Sequence, residues 1–279
     1  MTFFSGPLPR QFAHRGASGT CPENTLAAFR EARAAGADGF ELDVHRTADG
    51  EIVVYHDSTL DRTTDGRGAL ADLTLAELRE LDAGGRFTPD QGRTYPFQGQ
   101  GVSIPTLREI LEEFRRIPII VEIKQVEPPL EGDLRQVIGD CDAGDWTLVF
   151  SLAQEPLDRY RALAPEQPTG YGPEDVAEFL KRVNNGSWDG YSPPAAAFAV
   201  PVRWHGLQIV NASFVEAAHR FDREVFVWTV NEEREMKRLL DLGVDGLISD
   251  FPGRLAQIVQ RRGDQDGSQR SADAASEGR

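Results

Sequence analysis

The chain has 279 residues and a mass of 30.8 kDa, and 40% of it is hydrophobic, enough for two ordinary domains or one large α/β barrel around a sizeable core. Its 45 acidic residues against 30 basic ones leave a formal charge of −15, a mean field that argues against a general nucleic-acid or anionic-membrane partner. A phosphate ligand would therefore need a local cationic pocket or a metal. Two cysteines, Cys21 and Cys141, make no disulfide framework. The first residues carry no basic, apolar leader and no run reaches the length of a membrane span, so the expectation is a cytoplasmic protein without stable membrane insertion. The sequons at Asn185 and Asn211 read as chance matches.

The first apolar run, "QFAH", ends on the adjacent cations His14 and Arg15, just before a glycine-rich turn and a helix start in "GASGTCPENT". Further runs follow at intervals: "GFELDV", "IPIIVEIK", "DWTLVFSL", "PTGYG", "HGLQIV", "EVFVWTV" and "VDGLISD". Amphipathic stretches lie between them, and their starts carry capping signals. Thr106 with Glu109 and Ser213 with Glu216 fit the capping box, Asn231 suits a cap, and Gly243 suits a stop. Eight alternating strand and helix units around one core predict a (β/α)8 TIM-type barrel.

One junction breaks the alternation. Between "FELDVH" and "IVVYHD" only a handful of residues intervene, too few for a parallel crossover, and Asp49-Gly50 is a hairpin turn signal. The second strand should therefore extend as a β-hairpin that returns His56 to the side of Asp43. From there, residues 57–105 are too long for a structureless loop. Thr74 and Glu77 make another capping box, so a small insertion subdomain after the second barrel strand is expected, over the barrel mouth. Residues 173–204 read as a helix followed by an irregular loop. The barrel should occupy residues 1–262, and the polar stretch 263–279 reads as a disordered tail.

Glu41 and Asp43 are two apart on a strand, so both carboxylates face one side, and Glu122 ends the next barrel strand with Lys124 two residues on. Like charges so close need a cation between them, and three oxygen donors suit Mg²⁺ or Ca²⁺. The bland alternatives are solvent-facing strand acids and a structural Glu122–Lys124 ion pair. The C-terminal ends of barrel strands, where these residues sit, favour function. His14 and His56 each close a strand near this cluster, and imidazoles that titrate near neutrality can serve as an acid and a base. Arg15 offers a forked donor and Lys124 a point charge to phosphate oxygens. Trp228 would wall the site or pack in the core. His45, expected to face away from Asp43, and His205 and His219 are weaker candidates, while Ser151 and Gln208 are strand-end polar residues without an assigned role.

The ordered set "AHRGASGTCPENTLAAF", "DGFELDVHRTADGEIVVYHDSTLDRTTDGRG", "IPTLREIL", "VEIK", "VFVWTVN" and "GVDGLISDFP" resembles the glycerophosphodiester phosphodiesterases over about residues 11–255. The resemblance implies hydrolysis of a small-molecule glycerophosphodiester to sn-glycerol 3-phosphate and an alcohol, with a divalent ion as cofactor. It implies His14 and His56 as acid and base, Glu41, Asp43 and Glu122 as metal ligands, and Arg15 and Lys124 as phosphate contacts. "SLAQEPL" departs from a more usual serine-phenylalanine pair, and the connection before "HGLQIV" is long; both departures bear on the alcohol-side pocket. The rival readings are a phospholipase D or lysophospholipase D type lipid hydrolase and a barrel that binds a phosphodiester without turning it over.

Overall fold

In the computed structural model, which describes residues 2–277 and their side chains through Asp264, the chain forms a parallel barrel. The elements are β1 (Arg10–His14), α1 (Leu26–Ala34), β2 (Gly39–Arg46), β3 (Ile52–Val54), α2 (Leu75–Arg79), α3 (Leu107–Glu113), β4 (Ile119–Ile123), α4 (Glu131–Asp140), β5 (Thr147–Phe150) and α5 (Gln154–Leu163). They continue as α6 (Pro173–Asn185), β6 (Ala197–Pro201), β7 (Arg203–Trp204), β8 (Leu207–Gln208), α7 (Ala212–Arg220), β9 (Glu224–Trp228), α8 (Glu233–Asp241), β10 (Gly246–Ser249) and α9 (Pro252–Glu277). The sheet runs β5-β4-β2-β1-β10-β9-β6, and single parallel bridges from Thr169 to Val149 and from Gly170 to Ala197 carry the eighth position, so "PTGYG" joins β5 to β6.

The alternation of β2 decides the layers. Phe40, Leu42 and Val44 pack outward against the helices with Phe29, Leu111 and Phe114, while the odd-numbered residues turn inward. The barrel interior is filled by Phe3, Phe12, Ile120, Leu148, Phe150, Phe226 and Ile248, with Ala197 and Ala199 of β6 taking the small share of the volume. Phe3 stacks on Phe12 at 5.8 Å, and Phe12 meets Phe226 edge-on at 5.1 Å, which makes the lower barrel a packed core and leaves only its rim for chemistry.

Those two alanines explain the main correction. The sixth barrel strand is "AFAVP", not "HGLQIV": small residues facing a crowded interior hide a strand that propensity does not favour, and the prolines before it mimic a loop. Leu207 and Gln208 instead sit in the two-residue hairpin β7–β8, both exposed. Two caps are corrected as well. Asn211, not Ser213, starts α7 by accepting the Phe214 N–H at 3.0 Å, and α8 begins from Glu232 because Asn231 is engaged elsewhere. The expected boxes at Thr74/Glu77 and Thr106/Glu109 are both closed by reciprocal hydrogen bonds.

The hairpin is antiparallel, Val44 opposite Val54, and residues beyond it gather a separate core of Val53, Tyr55, Leu60, Leu70, Leu78 and Ile104. Helix α9 continues in backbone through the polar stretch expected to be disordered, since extending a formed helix costs far less than nucleating one; its packing against the barrel ends at Ile258 and Val259. Residues 278 and 279 of that stretch lie outside the described residues.

Candidate active site

Strand register assembles the site. In the β1–β2 pair His14 lies opposite Glu41, and in the β2–β4 pair Asp43 lies opposite Glu122, so four inward side chains from three strands converge at the C-terminal rim. The hairpin brings in the fifth: Tyr55 N–H bonds the Asp43 carbonyl at 2.9 Å, and His56 is the next residue. Arg15, at φ 54°, turns the chain just beyond β1, and its backbone N–H donates to the Glu41 carbonyl at 2.8 Å.

Glu41, Asp43 and Glu122 are all buried and present carboxylate oxygens within 4.8 Å of one another. Two cations face them. Lys124 Nζ lies 2.8 Å from Glu122 and 3.2 Å from Asp43, and Arg15 Nε lies 3.1 Å from Asp43. Burial works against charge on Asp43, but Lys124 and Arg15 outweigh it and hold its carboxyl below the ordinary range. Burial and the Asp43 charge push the Glu122 carboxyl up to about 7, and burial with both neighbouring acids holds Glu41 well above its usual value. Three carboxylates against two fixed cations thus leave negative charge short of a partner. The buried Asn24 Oδ1 adds a neutral oxygen without a hydrogen-bond partner, while its Nδ2 donates to Asp43 at 2.8 Å. An all-oxygen set with surplus negative charge fits a hard divalent cation.

Each histidine is held by a carboxylate through Nδ1, His14 by Asp250 at 2.6 Å and His56 by Asp57 at 2.5 Å. This arrangement fixes the ring and leaves Nε2 for other partners. Asp250 also accepts from Ser18 Oγ at 2.9 Å and Asn231 Nδ2 at 2.5 Å, which is why Asn231 is not a helix cap. Asp57 is pulled down to about 2: burial opposes its charge, but hydrogen bonds from Arg62 and His56 outweigh it. Burial lowers the His56 pKa, against the pull of the Asp43 charge. Arg62 also forks onto Glu23 at 2.7 Å, and Glu23 accepts from Arg15 at 3.0 Å, so one chain of charged contacts runs from His56 through Asp57, Arg62 and Glu23 to Arg15.

A cavity of about 160 Å³ is lined by His14, Arg15, Glu41, His56, Glu122, Lys124, Trp204 and Trp228, with Phe150, Leu152 and Thr229. Seven of the eight expected site residues line it, and the eighth, Asp43, sits behind them on Arg15 and Lys124. Trp228 Nε1 is buried with no hydrogen-bond partner. His45 is a correction: residues 43 and 45 share a face, and its ring is buried with Nε2 3.1 Å from the His56 carbonyl. Ser151 is structural, donating to the Ile123 carbonyl at 2.7 Å. Asp57, Asp250, Asn24, Glu23 and Arg62 escaped the sequence reading; the signal for Asp57 was adjacency to His56, and for Asp250 its place after the last barrel strand, where functional side chains collect.

A barrel with paired histidines, clustered acids and fixed cations around an anion-sized cavity at this rim is a hydrolase of phosphoric diesters. Comparison with known proteins narrows the class. The sequence profile of the Glycerophosphoryl diester phosphodiesterase family matches residues 14–254, and the chain belongs to that family. It is 34% identical to the glycerophosphodiester phosphodiesterase of Caldanaerobacter subterraneus over 90% of this chain and 98% of that protein. Among solved structures it is similar to the glycerophosphodiester phosphodiesterase of Agrobacterium tumefaciens, with a TM-score of 0.72 at 28% identity over 90% of this chain and 100% of that one. It is equally similar, at 0.72 and 29% over 91% and 97%, to an Oleispira antarctica phosphodiesterase in complex with the product sn-glycerol-3-phosphate. Among the described residues no helix is long and apolar enough to cross a membrane.

Proposed function

We propose that the protein hydrolyses glycerophosphodiesters to sn-glycerol 3-phosphate and an alcohol, using a divalent ion and two histidines. The observation that carries this is the convergence of His14, His56, Arg15, Lys124 and the three-acid cluster on one small cavity. Glu41, Asp43 and Glu122 are the residues that would hold Mg²⁺ or Ca²⁺, and the ion would supply Lewis-acid neutralisation of the phosphoryl oxygens. Arg15 and Lys124 bind the non-bridging oxygens, one through a forked guanidinium and the other as a point charge, and stabilise charge that grows there in the transition state.

The reaction in this reading is an in-line displacement at phosphorus. One histidine takes the proton from the glycerol 2-hydroxyl as its oxygen bonds to phosphorus; the other gives a proton to the departing alkoxide as the ester P–O bond breaks. The resulting cyclic phosphate opens by water attack with the proton roles reversed. Asp250 and Asp57 keep each ring in one orientation, so Nε2 is the atom that exchanges the proton. Trp228 walls the substrate pocket. The two free, buried cysteines support a reducing, cytoplasmic setting.

The test is release of sn-glycerol 3-phosphate from glycerophosphocholine and glycerophosphoethanolamine with Mg²⁺, with Ca²⁺ and with EDTA, for wild type and for His14→Ala and His56→Ala. Metal-dependent release, lost with EDTA and lowered about 10²- to 10⁴-fold in each folded variant, is the expected outcome. No release with either metal overturns the proposal, and wild-type turnover in either variant overturns the acid/base assignment.

A further inference from the structure

The carboxylates that hold the two histidines are themselves held in different ways. Asp250, on the ring of His14, is fixed by two neutral donors, Ser18 Oγ and Asn231 Nδ2. Asp57, on the ring of His56, is fixed by a cation: Arg62 donates to one oxygen from Nε at 2.6 Å and to the other from Nη2 at 3.1 Å. The other edge of the same guanidinium grips Glu23, with Nη1 on Oε2 and Nη2 on Oε1, both at 2.7 Å. Among the described residues, Asp57 is bonded only to Arg62 and His56, and Glu23 only to Arg62 and Arg15. Arg62 does not line the catalytic cavity. Its backbone is set by the insertion: Leu60 is buried in the insertion core, the Thr64 N–H and Oγ1 donate to the Leu60 carbonyl at 3.2 and 2.8 Å, and Thr63 Oγ1 donates to the Tyr55 hydroxyl at 2.7 Å. Exposed ion pairs in general contribute little, because their long side chains are free to leave, but a guanidinium forked on both edges and launched from a fixed turn is held in one geometry.

We propose that Arg62 is a positioning residue that locks His56 and Arg15 into one unit, so that proton transfer and phosphate binding both depend on the insertion being seated on the barrel. The inference rests on the proposed phosphodiesterase activity and deepens it. Two observations separate this role from that of an ordinary surface ion pair. The first is the count of partners. Without Arg62, Asp57 keeps only the ring it has to orient and Glu23 only the guanidinium it has to steer, so neither carboxylate has an anchor of its own; Asp250 would keep Ser18 and Asn231. The second is shape. Fixing the planes of two carboxylates at once needs a rigid planar fork, whereas a lysine ammonium attracts both as a point charge and fixes neither. A carboxylate bonded through both oxygens cannot turn, so Asp57 presents one direction to His56 Nδ1, and Glu23 holds Arg15 from the side opposite Asp43.

The experiment measures kcat and KM on glycerophosphoethanolamine, with Tm recorded alongside, for wild type, Arg62→Ala, Arg62→Lys, Asp57→Asn, Glu23→Gln and the control Arg79→Met. Arg79 is an exposed arginine of the same insertion whose ion pair with Glu109 lies away from the cavity, so its loss should leave both constants as in wild type. Asp57→Asn should chiefly lower kcat and Glu23→Gln chiefly raise KM, each by about tenfold or more, because one acts through the proton-transferring ring and the other through the phosphate clamp. Arg62→Ala should do both at once, and Arg62→Lys should regain little of either loss. Because Arg62 is exposed, guanidinium ion at millimolar concentration can take its place and should restore part of the activity of Arg62→Ala, while sodium at the same ionic strength should not. A loosened fold would give no such selectivity. Wild-type constants in Arg62→Ala, full restoration by lysine, an equal loss in Arg79→Met, or no more rescue by guanidinium than by sodium overturns the inference. Should Arg62→Ala fail to fold, Arg62→Lys decides: a lower kcat with a higher KM at unchanged Tm supports the inference, and wild-type constants overturn it. Absence of turnover by wild type with every metal overturns the activity and the inference with it, whereas an active wild type indifferent to Arg62 overturns the inference alone.

Discussion

Removing the metal should leave a protein whose stability depends on pH through Glu122, and Glu122→Gln should abolish that dependence. The carboxyl of Glu122 stands near 7, raised by burial and by Asp43, against an ordinary value of 4.5 in an unfolded chain. Below the unfolded value both states hold the proton and the contribution is intact. As pH rises from about 4.5 to 7 the unfolded chain gives up its proton first, and native stability falls; above 7 the loss is complete. A shift of about 2.5 units corresponds to roughly 3 kcal/mol, and with Glu122 only 6% exposed, solvent screening takes little from it. For a chain of this size that is on the order of 5–10 °C in Tm. The assay is thermal unfolding in EDTA from pH 4.5 to 8, for wild type and Glu122→Gln. The difference between the two curves reports Glu122 together with its coupling to Glu41 and Asp43, and leaves out acids elsewhere in the chain. Wild type should lose ground to the variant as pH rises, and Ca²⁺ or Mg²⁺ should restore wild type most above pH 7, where the cluster carries most charge. Parallel pH curves for the two proteins in EDTA would refute the claim that burial and the Asp43 charge raise the Glu122 carboxyl.

Asp250→Asn retains the size of the group that holds His14 Nδ1 but removes its charge, so kcat should fall at least roughly tenfold with little change in KM, measured on glycerophosphoethanolamine; a KM effect alone would mean that Asp250 serves binding instead. Thr106→Ala breaks the capping box of α3, whose residues do not line the site cavity, and should cost about 1 kcal/mol in urea unfolding with unchanged turnover.

The difference between what was legible in the sequence and what was not follows the range of the forces involved. Glu41, Asp43, Glu122 and Lys124 could be placed because strand alternation is local: residues two apart share a face wherever the strand is put. His56 could be placed because the short turn at Asp49-Gly50 leaves the returning strand no other course. The partners of the histidines were harder, since Asp250 is separated from His14 by 236 residues and meets it only because β10 pairs with β1 to close the barrel. Strand β6 escaped for a related reason. Its alanines are small because Phe12, Phe150 and Phe226, contributed from three other strands, already fill the interior, so the pattern that identifies it is written in residues elsewhere in the chain. Misplacing that strand also hid an apolar cleft beside the site cavity, because Trp204 and Leu207 face it only once "AFAVP" takes the barrel position and the following residues are left to form the exposed hairpin. The residues of the rim site are therefore encoded by local periodicity, whereas β6 is encoded by closure of the barrel, and a larger side chain at Ala197 or Ala199 should lower stability by displacing β6 from the crowded interior.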